Sequence, residues 1–461
     1  MDRLPIELVS HIFTFGCGFA GFEAFVRSQF HSWSPDPLKG INNRDPVWNR
    51  FRIAITSVSK LWREIAYSTA ELWSFIDIKL MESASDTPEF FVEICLRHSK
   101  NKALDIFLYG ADIAQIMTIW RLITPALLRC RSLHMIIPSE ALYYTTPLPN
   151  ELNLLEEADF TFDISEYDVG ITGAKFFSTS SHLPRLRRLK LRDVYEGMIE
   201  SAPLQSLCEF TFERYSTIFR PAIFARLSEA RHVVLNCRFA RKLGFKPIAL
   251  PHLESIEFGD DTVAELIRAP NLLHLSTKAL GFIPMLASNT FPRVREITSR
   301  SSGRSIWPTS WEGSQTEESD LPTQHLFMPS VEVFRLPAQD INTWAISLSI
   351  LIDSGTADIN TGPSPHPPSR LFPALRTLYC EEVGGNATAN TSFPSPDDPY
   401  FETIHEYIDE LLIQLLRQRP LLSIVVAAAI MTPDRMESLA PEMRGRVANS
   451  DAPFGLRTNQ I

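Results

Sequence analysis

Glycine is scarce in this sequence: 19 residues of 461, about 4%, where roughly 7% is usual. That excludes a collagen-like repeat, which needs glycine at about every third position, and a flexible Gly/Ser linker protein. It also leaves little material for glycine-rich phosphate loops. The six cysteines (Cys17, Cys95, Cys130, Cys208, Cys237 and Cys380) are scattered with no C-x-x-C pair, which fits buried free thiols in a reducing compartment. No apolar run reaches the ~18 residues of a membrane helix; the longest candidate is Leu421 to Met431. Basic charge is in deficit, 44 Lys and Arg against 54 Asp and Glu for a net charge of −10, which opposes a phosphate-gripping surface. Neither nucleic acid nor a membrane is expected as a partner. The start, Met1-Asp2-Arg3-Leu4-Pro5, makes a poor signal peptide because Glu7 and His11 interrupt it early, so the chain reads as cytoplasmic or nuclear.

Proline is what the chain has in excess: 33 residues, about 7% against roughly 5%. Its placement follows a repeat. The template Φ-x-x-Φ-x-Φ, with Φ apolar, puts its last two apolar residues on one face of a short strand. Good matches are Leu186/Leu189/Leu191, Leu207/Phe210/Phe212, Leu253/Ile256/Phe258, Val331/Phe334/Leu336 and Leu375/Leu378/Cys380. Weaker ones begin at Leu155, Ala230, Leu272 and Val294, and outlying ones at Ala103, Cys130 and Leu421. Successive first positions lie 19 to 31 residues apart as far as Val294 and then 37, 44 and 46 apart, in or near the leucine-rich-repeat range of about 20–29. Pro184, Pro251, Pro270, Pro292, Pro329 and Pro373 each stand two residues before a first position. Proline lacks an N–H and fixes φ, so it suits strand entry and not the ladder. The segment Phe401 to Arg419 carries helical spacing through Ile404, Ile408, Leu411, Leu412, Leu415 and Leu416.

Three stretches rich in Pro, Ser and Gly read as inserts, at 300–325, 353–370 and 384–399. They fall in the three long gaps. Residues 432–461 read as a weakly ordered tail, which leaves 81–431 as the degenerate repeat domain. The expected fold class is α/β (α+β), with strand–loop–helix units that cannot bury their faces alone stacking into a curved solenoid of short parallel strands.

Residues 1–80 differ. Leu4-Pro5-Ile6-Glu7-Leu8 opens a helix, with Pro suited to its first turn and Glu7 to its positive end. Phe51, Ile55, Val58, Trp62 and Ile65 recur at helical gaps and predict one apolar helix face. Leu4-Pro5-Ile6-Glu7-Leu8 with Ile12-Phe13, then Val58-Ser59-Lys60-Leu61-Trp62-Arg63-Glu64-Ile65-Ala66, then Ser68-Thr69-Ala70-Glu71-Leu72-Trp73 resemble the F-box. This is the helical module that docks on the Skp-family adaptor of cullin-RING ubiquitin ligases. The ending and the Pro-led repeats are similar to large fungal F-box families. Departures are the long separation between the two halves and Ser59 where the family usually has Cys. The resemblance implies adaptor contacts at Leu4, Pro5, Ile6, Leu8 and Ile12, and a module core of Phe13, Val58, Trp62, Ile65, Leu72 and Trp73, with Trp62 as its buried anchor.

Enzyme motifs are few. Gly16-Cys17-Gly18-Phe19-Ala20-Gly21 matches G-x-G-x-x-G but follows a helix and not a strand, so it reads as a turn. Ser57-Val58-Ser59-Lys60 and Ser99-Lys100-Asn101-Lys102 match S-x-x-K without its partner motifs. His405-Glu406-Tyr407-Ile408-Asp409 has Asp where H-E-x-x-H has its second metal ligand. No catalytic residue, metal ligand or cofactor is expected. A Ser/His/Asp triad is recognised by geometry and not by chain order, and on it the sequence is silent.

Strand residues between the apolar positions face outward. They include Arg188, Lys190, Arg192, Glu209, Glu257, His274, Arg335 and Tyr379, which serve either cross-strand charge pairing or the binding of a target protein. The functional expectation is the substrate-recognition subunit of an SCF-type ubiquitin ligase, not an enzyme itself, with an unidentified target. Two alternatives stand beside it: a repeat scaffold without ligase assembly, and an enzyme with an unrecognised site.

Overall fold

The structure, a computed structural model, describes residues 5–16, 47–80, 88–163, 176–177, 183–194, 199–200, 202–219, 221–239, 247–259, 267–277, 291–299, 330–338, 348, 372, 374–382, 399–419, 421–427 and 446–450. Leu4 and the inserts at 300–325, 353–370 and 384–399, apart from Pro399, lie outside the described residues.

One turn recurs before the strands. In Leu183-Pro184-Arg185-Leu186, the Leu186 N–H donates to the Leu183 carbonyl at 3.2 Å, and the same closure joins Leu253 to Leu250, Leu272 to Ala269, Val294 to Phe291 and Leu375 to Phe372. Proline is the second residue each time, the position whose φ it pre-sets and whose N–H the turn does not need. Leu155 and Ala230 close the same turn without proline, onto Leu152 and Leu227. First and last turn residues both enter the core, as at Leu183, Leu186, Leu250 and Leu253. The N–H after the turn then crosses to the preceding unit, as from Arg187 to Glu156, Leu273 to Glu254 and Arg376 to Glu332, at 2.8–2.9 Å.

The chain divides into two compact units, Met1–Thr217 and Ile218–Ile461. In the first, β1 (Phe75–Leu80), β2 (Leu104–Gly110), β3 (Cys130–Pro138), β4 (Glu157–Asp163), β5 (Arg188–Arg192) and β6 (Glu209–Phe219) pair in chain order, all parallel. Their register aligns Ile76, Ile106, Leu133, Ala158, Leu189 and Phe210 in one inner row, and Ile78, Leu108, Met135, Phe160, Leu191 and Phe212 in a second. All twelve side chains are buried. In the second unit the strands are β7 (His232–Phe239), β8 (Ile248–Ala249), β9 (Ser255–Phe258), β10 (Ile267–Arg268), β11 (His274–Thr277), β12 (Glu296–Ser299), β13 (Val333–Ala338), β14 (Thr377–Glu382), β15 (Ser423–Ala427) and β16 (Val447–Ser450). The pair β8 and β10 stands apart; the rest are parallel neighbours whose inner row runs Val233, Ile256, Leu275, Ile297, Phe334, Leu378, Ile424, Val447. The protein is thus α/β with a large parallel sheet.

Two sequence expectations change at the C-terminal end. The last repeat was expected to begin at Leu421, but Leu421 is 81% exposed and Leu422 is buried. Leu422 closes the recurring turn onto Arg419 at 3.0 Å, so the core position is again two residues after a proline, Pro420. Strand pairing also continues past 431: β16 lies in the segment read as a tail, and pairs Ile424 with Val447 and Val425 with Ala448.

The helices before β1 are α1 (Ile6–Gly16), α2 (Val47–Val58) and α3 (Lys60–Ser68), with a 3-10 turn at Ala70–Trp73. The single helix expected through Phe51 to Ile65 is broken at Ser59. Ser59 is extended (φ −158°, ψ 168°) and its hydroxyl accepts from the Trp62 N–H, an N-cap that starts a new helix. The break turns Val58 outward, 59% exposed, and it leaves the expected core. Trp62 is half-buried and not the buried anchor; its ring packs 5.1 Å from Phe13, which is 1% exposed. Ile65, Leu72 and Trp73 are buried.

These helices share a core with β1 and the helix after it. Arg52, buried, donates to the Phe75 carbonyl at 2.6 Å and lies over the Trp73 ring. Trp73 Nε1 donates to the Ala66 carbonyl at 2.8 Å. Tyr67 stacks on His98 with centroids 4.4 Å apart. His98 ends α4 (Pro88–His98); α5 (Ile113–Ile123) and α6 (Pro399–Gln418) are the other long helices described. Asp112 caps α5 by accepting from the Ala114 and Gln115 N–H groups.

Candidate functional site

Two surfaces are built by these elements. The first is on α1. Pro5 accepts from the Leu8 and Val9 N–H groups and so opens the helix. Val9 and Phe13, one turn apart, are buried. Leu8 and Ile12, also one turn apart, are each 49% exposed, and Ile6 in the first turn is 56% exposed. Four of the five expected adaptor contacts (Pro5, Ile6, Leu8 and Ile12) are therefore on the surface, and the fifth, Leu4, lies outside the described residues. Ile53, Val58 and Leu61 add further exposed apolar side chains on α2 and α3. Gly16 is the last residue of α1, and the rest of the G-x-G-x-x-G match lies outside the described residues.

The second surface is the polar face of the strands. Register places Asp105, Ser132, Glu157, Arg188 and Glu209 in one row and Phe107, His134, Asp159, Lys190 and Thr211 in the next. In the second unit a row runs Val234, Glu257, Ser276, Thr298, Arg335, Tyr379, Val425, beside His274 and Glu296. Most of the charges pair across strands. Arg188 reaches Glu157 at 2.5 Å, Arg192 reaches Glu213 at 3.5 Å and Arg131 reaches Asp105 at 2.5 Å. Glu296 takes both His274 at 3.2 Å and Arg335 at 2.5 Å, and the Arg335 guanidinium lies 3.9 Å over the Tyr379 ring. The His274 hydrogen bond, then Arg335, holds the Glu296 carboxyl down to about 2 against the opposing effect of burial. Of the expected target-binding residues, Arg188, Arg192, His274, Arg335 and Tyr379 are thus engaged with neighbours. Glu257 is 8% exposed. Lys190 and Glu209 make no ion pair among the described residues.

The sequence reading missed the polar side chains of β1 to β3. The signal was present, since the matches starting at Ala103 and Cys130 leave Asp105, Ser132 and His134 as the intervening positions. Burial hid them: Asp77, Asp105 and His134, like Asp159 and Thr161 on β4, face away from the apolar rows and are nonetheless buried. Among the described residues, no group of three or more His, Cys, Asp or Glu could hold a metal ion, and no helix is long and apolar enough to cross a membrane. Set beside known proteins, the chain matches no protein-family model and no curated protein.

Proposed function

We propose that this chain is the substrate-recognition subunit of an SCF-type ubiquitin ligase. In this reading α1 to α3 are an F-box that docks on a Skp-family adaptor and through it a cullin. The strand units form a leucine-rich-repeat-like solenoid that holds a target protein. The role is tethering and not ubiquitin chemistry: a target held near the charged enzyme reacts at high effective concentration.

The observation that carries the reading is the exposed line of Leu8 and Ile12 on a helix whose neighbouring line, Val9 and Phe13, is buried and anchors it. A helix fixed in this way presents exposed apolar area at Ile6, Leu8 and Ile12, as a docking helix requires. Co-purification from cells expressing the adaptor tests it. Wild type should retain the adaptor, and Leu8→Asp with Ile12→Asp should lose it while keeping its melting temperature, since both side chains are half-exposed. Wild type that never retains adaptor would sink the proposal.

A further inference from the structure

Three side chains on the first unit's polar face converge in a way that tethering does not use. Ser132 and His134 lie two residues apart on β3, so both point to the same face. Ser132 Oγ is 2.7 Å from His134 Nε2. Asp159 stands opposite His134 on β4, with a carboxylate oxygen 4.0 Å from Nδ1, close enough to act on the ring by charge but longer than a hydrogen bond. The imidazole lies flat on Phe107, centroids 4.2 Å apart and planes within 6°, which holds the ring's orientation.

This order of groups has chemical consequences. A hydroxyl donating to Nε2 leaves the imidazole proton on Nδ1, toward the carboxylate. That tautomer leaves Nε2 able to accept the serine proton. Burial holds the His134 pKa below the usual imidazole range, against the pull of Asp159 and Glu157 and with the help of Lys190 and Arg188. The ring is therefore neutral at pH 7, as a general base must be.

We propose that Ser132, His134 and Asp159 form an acyl-transfer site, with Ser132 as nucleophile, His134 as base and then acid, and Asp159 as the positioning residue. Ser132 Oγ bonds to the carbonyl carbon of an ester while its proton passes to Nε2. The adduct collapses with cleavage of the bond to the leaving alcohol, which takes the proton from the imidazolium. Water, activated by the same nitrogen, then releases the acid and restores the serine. The substrate class is a small, neutral acyl ester. Glu157 stands directly across from Ser132 in the register and disfavours an anionic acyl group. A His134 that is only 5% exposed leaves room for little bulk. The backbone amides of β3 and β4 serve the strand ladder, so the developing oxyanion is weakly stabilised and turnover is slow.

The full-length chain, incubated with a small alkyl fluorophosphonate or with p-nitrophenyl acetate, tests this by peptide mapping and by release of fluoride or nitrophenol. The expected adduct is on Ser132 and disappears in Ser132→Ala, a substitution at a half-buried site. His134→Gln should slow labelling by about 10²- to 10⁴-fold. Asp159→Asn should slow it and shift the pH midpoint of the labelling rate, which loss of a purely structural contact would not do. Thermal melts separate slow chemistry from unfolding, and the wild-type pH–rate profile reports the base without any variant. Wild type left unmodified at Ser132, or labelled there at a rate unaffected in folded His134→Gln, overturns the proposal. Adaptor capture is read separately and is expected to survive Ser132→Ala, so either reading can fail alone.

Discussion

Single arginines close the ends of elements in this molecule. The last carbonyls of a helix have no partner within it, and the planar five-donor guanidinium can serve several at once. Arg129 donates to the Leu96 carbonyl at the end of α4 at 3.0 Å, and to the carbonyls of Lys100 and Lys102 beyond it. Arg446 does the same after α6, reaching Leu416 at 3.1 Å, Arg419 at 2.5 Å and Leu422 at 3.0 Å. Replacing Arg129 by Met should cost about 1.5–3 kcal/mol, the range for hydrogen bonds to charged groups, read as a lower urea midpoint, and Arg129→Lys should recover only part of it. Acid adds a second expectation. Glu296 titrates at about 2 in the folded chain against an ordinary 4.5, so the unfolded chain takes up its proton first. Its contribution is present above pH 4.5 and is lost as pH falls through about 2. Glu296→Gln should flatten stability across that window in an acid titration. His134, held low by burial, acts at milder pH: its contribution is full above about 6.5 and declines as pH falls below that value. A stability–pH curve between 7 and 5 that is the same in wild type and His134→Gln would contradict this.

At the scale of elements, legibility depended on whether a signal was periodic or a single local bond. The inner rows could be read because Φ-x-x-Φ-x-Φ encodes a turn residue and two strand residues, and the register joins Leu189 to Phe210 and Ile297 to Phe334 as that template requires. The proline offset could be read for the same reason, although the buried residues just before Pro184, Pro251, Pro270, Pro292 and Pro373, such as Leu250 or Phe291, were overlooked. The helix break was not legible. Phe51 to Ile65 keeps helical spacing across Ser59, and only the hydroxyl accepting from the Trp62 N–H reveals two helices. Ser59→Ala should therefore cost about 0.5–2 kcal/mol, and restored stability in Ser59→Asp, which keeps a capping oxygen, would show that the cap and not the side-chain volume matters. The Ser132–His134–Asp159 convergence was beyond sequence for a different reason. Asp159 is 25 residues from His134 in the numbering, and only the register between β3 and β4 sets it opposite.

For the whole molecule, the division at Thr217 and Ile218 means that each unit carries its own inner rows. In a stacked array a unit's stability comes from itself and its immediate neighbours. Damage to one inner row should then be felt locally before it is felt throughout. Phe160 is the clearest place to test this in the first unit: it is fully buried and meets Phe176 edge-on at 4.6 Å and Phe177 at 5.9 Å. Phe160→Ala should cost about 3–5 kcal/mol through the lost burial and the cavity left behind. Hydrogen exchange should then show loss of amide protection concentrated in 1–217, with the strands of 218–461 retaining theirs. Phe334→Ala, at a fully buried site of the second unit, should produce the reverse pattern. Equal loss of protection in both units from either substitution would mean that the chain unfolds as one cooperative body and that the two cores do not hold independently. The same comparison bears on tethering. If Phe334→Ala loosens the second unit and leaves intact the adaptor capture proposed for Leu8 and Ile12, the proposed docking needs only the first unit.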